Sequence, residues 1–318
     1  MAARLLPPSE IPPSLWQQPD DVLLLPGDLA DAYRQVLTDR KWIDEALAER
    51  SGGAIGGSSP EVAKQHFVES FAGSCARVGL VTLDPHATLN ETSDWIASAF
   101  AGGRIGLLDM PCGAGAAALS LLSVIAELRK ADVLPRQPLD VFMLGGDYSE
   151  TARNLASEMA AALRPRLEVE GIKLHLRFVA WDACDAQSTT ELIHAWMRHA
   201  DDCRRYFVVA ANCSGFLASG GKFKEAKPNL EQVFRWAKVR RSDIAWIEPQ
   251  TNAARLNFLP RLLQWAENTL RGLFQVRAGG NGDSGALAEG AFAHPLKDGR
   301  IQVRVSLVRF EHHDGGVA

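Results

Sequence analysis

From about residue 105 onward the chain alternates short apolar runs with longer amphipathic stretches. The runs are Ile105–Leu108, Leu139–Leu144, Leu174–Ala180, Tyr206–Ala211 and Ile244–Ile247. Between and after them lie stretches that read as helices: Ala116–Lys130, Glu150–Leu163, Thr189–His199, Leu230–Ala237 and Ala253–Leu270. Strands alternating with helices predict right-handed βαβ crossovers and a parallel sheet. The ending differs. Leu273–Arg277 and Ile301–Phe310 are strand-like, but only the glycine-rich GGNGDSGALAEG separates them. Two strands without a crossover helix predict an antiparallel pair at the sheet edge.

The first hundred residues follow another pattern. Pro7, Pro8, Pro12, Pro13, Pro19 and Pro26 predict an extended arm. Asp28 then reads as the N-cap of a helix carrying Leu29, Tyr33, Val36 and Leu37. SGGAIGGSS (51–59) reads as a flexible break. Ser59-Pro60 opens a second helix, since serine suits the cap and proline the first helical position; its apolar face is Phe67, Phe71, Cys75 and Val78. A short helix over Ser93–Phe100 follows. Two regions are therefore expected, an arm with a helical extension over 1–100 and an α/β domain over 101–318.

Composition narrows the function classes. The chain has 318 residues, with 34 Lys+Arg against 38 Asp+Glu and a net charge of −4, so a uniformly basic nucleic-acid coat is excluded. Five cysteines without a CxxC pair argue against a disulfide framework or a cysteine-rich zinc site. Prolines interrupt the start where a signal peptide needs an apolar run, and no stretch of about 18 apolar residues occurs. A reduced, cytoplasmic setting with no metal and no membrane is the expectation.

The most informative segment is IGLLDMPCGAGAAALSLL (105–122), an apolar run ending in Asp109, a turn with Gly113 and Gly115, then a helix opening on alanines. Glycines there let a ligand approach the backbone, and the helix N-terminus offers unpaired N–H groups. Gly113-x-Gly115-x-x-Ala118 also fits the relaxed dinucleotide fingerprint. Against a dinucleotide stands Asp109, an acid that a pyrophosphate does not call for. The acid closing the second strand, Asp147, also falls later than the roughly 20 residues of a dinucleotide fold. The third strand runs into Trp181-Asp182-Ala183. Three successive strands thus end in an aspartate at the edge where α/β folds bind ligands.

In that order, the motifs resemble those of the class I S-adenosylmethionine-dependent methyltransferases. The resemblance implies a seven-stranded, mostly parallel Rossmann-like sheet with an antiparallel edge, and S-adenosylmethionine (SAM) as cofactor. LLDMPCGAG resembles the first family motif, which places Asp109, Pro111, Cys112, Gly113 and Gly115 at the amino-acid end of the cofactor. GGDYSETARNLA resembles the second, implying Asp147 as ribose ligand and Tyr148 beside the adenine. WDACDA resembles the third, implying that Asp182 accepts from the adenine amino group and Ala183 donates from its backbone. YFVVAANCSGF resembles the fourth, whose strand ends at the substrate.

Methyl transfer is an in-line displacement, so the enzyme supplies positioning and any base the nucleophile needs. Asn212, at the end of the fourth strand beside the expected sulfonium, is a candidate for both cofactor and substrate contact, and Glu248 the candidate proton acceptor closing the fifth, with a salt bridge as its alternative. Asn212-Cys213-Ser214-Gly215 resembles the RNA 5-methylcytosine enzymes. Their second cysteine is missing from IEPQTN (247–252), so Cys213 reads as a packed residue. Between these strands, GGKFKEAKPNLEQVFRWAKVRR sets Lys222, Lys224, Lys227, Arg235, Lys238, Arg240 and Arg241 among Phe223, Phe234 and Trp236. Such a segment can bind phosphates and stack bases, or be a solvated helix face with aromatics packed inward. The expected activity is SAM-dependent methyl transfer to RNA or another anionic substrate. A small-molecule methyltransferase and a non-catalytic or partner-dependent SAM- or nucleotide-binding protein are the alternatives.

Overall fold

Five parallel strands form the centre of the fold: β3 (Gly103–Asp109), β4 (Leu139–Asp147), β5 (Ile172–Ala180), β6 (Arg205–Ala211) and β7 (Asp243–Pro249). They are seen in a computed structural model that describes residues 4–48, 59–89, 91–218, 221–250, 258–270, 274–278 and 286–312. The spatial order β5-β4-β3-β6-β7 reverses direction between β3 and β6. In open α/β sheets such a reversal marks where ligands bind, at the carboxyl ends of the two strands. The expected alternation of strands and helices is present throughout this half.

Side chains alternate between the two faces of the sheet, as the pleat requires. Ile105, Leu107, Val141, Met143, Phe207 and Val209 belong to one buried cluster, packed under α3 (Pro60–Leu83), α5 (Ala116–Lys130) and α6 (Glu150–Val169). Leu108, Leu144, Val208, Ile244 and Trp246 belong to the other, under α7 (Ala186–His199), α9 (Lys222–Val239) and α10 (Phe258–Leu270). Burial on both faces explains why these strands read as continuous apolar runs.

Beyond β7 the sheet differs from the seven-stranded expectation. Nine strands lie along one path, and a tenth, β8 (Phe274–Ala278), shares the long β10 (Arg300–His312) with β9 (Ala286–Ala293). β9 pairs with the first part of β10 and β8 with its last five residues, all antiparallel. β10 also pairs antiparallel with β7, so it lies inside the sheet rather than at its edge. Part of the glycine-rich segment read as a loop is therefore strand. Its Ala and Gly residues give little β signal, but Gly290 leaves room for Leu80 of α3 to pack against the backbone.

The N-terminal residues complete the sheet. β1 (Trp16–Gln17) and β2 (Val22–Leu23) form a small hairpin, and β2 adds to β9 in parallel. The proline-rich arm is folded into short turns, not extended: Leu6, Ile11, Leu15 and Trp16 are buried, and Arg4 donates to Ser93 Oγ at 2.6 Å. Helix α1 (Gly27–Asp39) starts two residues earlier than expected, with Pro26 and not Asp28 at the cap and Asp28 in its first turn, where it pairs with Arg166 at 3.4 Å. The Ser59 cap forms as expected, its Oγ accepting from Val62 N at 3.3 Å, and Phe67, Phe71, Cys75 and Val78 are buried. Of the break expected over 51–59, residues 51–58 lie outside the described residues. No helix among the described residues is long and apolar enough to cross a membrane.

Candidate functional site

At the end of β3, residues 110–115 form a tight turn into α5. Cys112 N donates to Gly146 O at 2.9 Å and Gly115 N to Cys112 O at 2.7 Å, tying the turn to the end of β4. Gly113 and Gly115 take positive φ values of 51° and 81°. The two glycines differ in what surrounds them. A Cβ on Gly115 would meet Leu119 Cδ1 at 2.9 Å, whereas one on Gly113 would meet nothing within 4 Å. Gly115 permits packing, and Gly113 presents bare backbone to open space. The cap residue Gly115 has no side chain to offer; in the first turn of α5 Ala118 N is taken by Asp109, while the N–H groups of Ala116 and Ala117 have no partner among the described residues. Pro111 is half-buried in the turn. Cys112 packs beneath it, its thiol pushed well up by burial and by the neighbouring Asp147 and Asp109.

Two carboxylates flank this turn. Asp109 is fully buried; its Oδ2 accepts from Ala118 N at 3.2 Å, while Oδ1 has no hydrogen-bond partner among the described residues. Asp147 is 9% exposed, with Oδ2 accepting from Gly113 N at 2.9 Å and Oδ1 from Ser149 N at 2.8 Å. Burial is the main force raising both carboxyls above their usual range, and the Asp147 charge pushes Asp109 further up. Arg153, one turn into α6, donates to the carbonyls of Asp147 and Tyr148 at 2.5 and 3.0 Å, fixing the backbone that carries the acid. The Tyr148 ring is 64% exposed.

The turn after β5 is closely tied. Asp182 N donates to Ser188 Oγ at 2.9 Å, Asp182 Oδ1 accepts from Cys184 N at 2.9 Å, and Asp182 O accepts from Asp185 N at 3.1 Å. The Ala183 carbonyl accepts from Asn229 Nδ2 of α9 at 2.8 Å.

Beyond β6, Asn212 adopts φ 59°, its N–H donating to Ile247 O at 3.0 Å. Its Oδ1 lies 3.4 Å from Arg77 Nη1 of α3. Glu248 is 1% exposed and accepts from Cys213 N, Cys213 Sγ, Ser214 N and Trp246 Nε1 at 2.7–3.3 Å. Burial raises its carboxyl, and these donors pull it back down. Among the described residues Glu248 forms no ion pair. Cys213 is a buried thiol, pushed well up by burial and by Glu248. The singled-out residues at the strand ends thus lie along the carboxyl edge of the sheet, where the structure adds three whose roles the motifs did not reveal: Arg77, Arg153 and Asn229. Arg77 had a signal, as the sole charged residue between Glu69 and Asp84.

The basic segment forms α9. Phe223 and Phe234 are buried in the core against Trp265, and Lys222 and Lys227 lie over the rings of Phe216 and Phe223. Lys224 and Arg235 are exposed, and Arg235 pairs with Glu231 at 2.6 Å. The two phenylalanines are therefore not available to stack bases.

These features define an α/β protein with a mixed sheet whose strand order reverses between β3 and β6. The chain matches no family model and no curated protein. Among solved structures it is similar to one described as loganic acid methyltransferase with SAH, at 10% identity over 82% of this chain and 99% of that one, with a TM-score of 0.38.

The raised Asp109 carboxyl has a testable consequence. Its pKa in the folded state lies above the value of about 3.9 expected when unfolded, so its contribution to stability is full below that value and is lost as pH rises through the folded pKa. Asp109→Asn is expected to melt higher than wild type at pH 7.5, with the difference shrinking as pH falls toward about 4. Melting curves across that range would refute this if the difference did not depend on pH.

Proposed function

We propose that the protein is a SAM-dependent methyltransferase acting on a small anionic acceptor. The observation that carries the cofactor reading is Asp109 Oδ1, a buried carboxylate oxygen without a partner among the described residues, at the strand end that leads into the Gly113 turn. Such an atom calls for a donor from a ligand. Asp147 is close enough to push the Asp109 carboxyl up, and two neighbouring carboxyls match an ammonium or sulfonium better than a pyrophosphate. This separates SAM from a dinucleotide on physical grounds.

On this reading Asp109 and the first turn of α5 hold the ammonium and carboxylate of the amino-acid end. Asp147 keeps a free lone pair on each oxygen for the ribose hydroxyls. Tyr148 lies beside the adenine, and Asp182 and Ala183 read its edge. When bound, SAM supplies an electrophilic methyl group; the chain's own residues bind, orient and exclude water. Glu248 holds the turn that carries Asn212, and Asn212 contacts the acceptor.

The lean toward an anionic acceptor rests on Arg77, whose guanidinium beside Asn212 matches a carboxylate or phosphate in geometry. A small molecule is favoured over RNA because Phe223 and Phe234 are committed to the core.

Calorimetric titration with S-adenosylhomocysteine (SAH), SAM and NAD is the direct test. SAH binding without NAD binding supports the reading, and NAD binding or no SAH binding overturns it. Transfer of labelled methyl from SAM into acidic small-molecule, RNA and protein fractions then separates a catalyst from a binding protein. Arg77→Met is expected to raise the KM for the acidic fraction by roughly tenfold or more, since a charge-assisted hydrogen bond contributes about 1.5–3 kcal/mol. SAH affinity should stay unchanged; an unaltered KM would remove Arg77 from the acceptor site.

A further inference from the structure

We propose that Asn229, inside the segment that reads in sequence as a basic surface, is a positioning residue that sets base selectivity at the cofactor site. The inference rests on the SAM reading and adds a residue from a different crossover. Asn229 is 4% exposed, and its amide donates to the Ala183 carbonyl at 2.8 Å. It joins α9 to the turn after β5, 46 residues away in sequence.

Ala183 is held from both sides. The peptide before it is fixed by the Asp182 carbonyl accepting from Asp185 N at 3.1 Å, and the peptide after it by Asn229. Cys184 N, in that second peptide, donates to Asp182 Oδ1 at 2.9 Å. The Asn229 bond therefore fixes the plane from which the Asp182 carboxylate is oriented. Within this turn the Ala183 N–H has no hydrogen-bond partner among the described residues. A donor and an acceptor held side by side match the N1 and exocyclic amino group of adenine, and mismatch a 6-oxo purine, which carries a hydrogen on N1 and an oxygen at C6.

The remaining α9 contacts hold the same region. Cys184 Sγ lies 3.9 Å from Lys222 O, and Gln232 Nε2 donates to Thr190 Oγ1 at 3.2 Å. Gln232 holds α7 and not the turn, so it serves as a control.

The test compares the affinities of SAH and S-inosylhomocysteine, its 6-oxo analogue, by calorimetry on the full chain. Wild type should prefer SAH. Asn229→Ala should weaken SAH about tenfold and the analogue little, so that the preference collapses, whereas Gln232→Ala should preserve it. A role in folding alone would lower both affinities together or only the melting temperature, and that result overturns the proposal. So does an unchanged preference in a folded Asn229→Ala protein. If that variant does not fold, Asn229→Ser is measured by the same two criteria. Wild-type protein that binds no SAH overturns the SAM reading itself, an outcome distinct from SAH binding whose selectivity ignores Asn229.

Discussion

Asp147→Ala is expected to weaken SAH binding by roughly two to three orders of magnitude. A carboxylate hydrogen bond to a ligand hydroxyl contributes about 1.5–3 kcal/mol, two hydroxyls are available on a ribose, and each 1.4 kcal/mol is a factor of ten. The same change frees Gly113 N, which Asp147 Oδ2 holds at 2.9 Å, so the glycine turn loses its tie to β4 at that point. Folding should suffer less, because the variant also removes a carboxylate that burial disfavours. Calorimetry paired with thermal melting separates the effects. A loss of affinity under about threefold would exclude Asp147 from the ligand site, since even one charge-assisted hydrogen bond contributes more.

Glu248→Ala is expected to be the most destabilising single change at the site, by about 3–5 kcal/mol. It leaves the N–H groups of Cys213 and Ser214 and the Trp246 indole without their acceptor inside the core. Each orphaned donor costs about 1–3 kcal/mol, partly offset by no longer burying the carboxylate. The melting temperature should fall by roughly 10 °C. Glu248→Gln keeps the shape and one acceptor and should lose much less. If Glu248 were instead the proton acceptor, the Gln variant would melt near wild type yet lose nearly all transfer and change its pH–rate profile. Retained transfer with an unchanged profile identifies it as the support of the Asn212 turn.

The central half of the fold could be read from sequence because its signals are local. A strand buried on both faces is a continuous apolar run, and a crossover helix shows its period and caps within a few residues. Boundaries such as Ala116–Lys130 are visible in the order of the residues alone. The glycine turn and the aspartates at the ends of three strands were legible for the same reason, since parallel topology brings all strand ends to one edge. The C-terminal strands were not. Ala286–Ala293 is small and glycine-containing, with no local preference for strand, and becomes one through pairing with β10 and packing under Leu80.

The sequence by itself determined the alternating α/β core, the edge to which its strand ends converge and the acids along it. Only the tertiary structure decided what those acids face. Glu248 and Asp147 look alike as strand-end carboxylates, yet one is enclosed by four donors and the other flanks an open glycine turn. Arg77 and Asn229 reach the edge from α3 and α9, at separations of 135 and 46 residues from their partners. The physical reason is that hydrogen bonds and desolvation depend on distances of a few ångströms between groups the chain brings together only on folding. Periodicity records which face a residue takes, and not what it meets there.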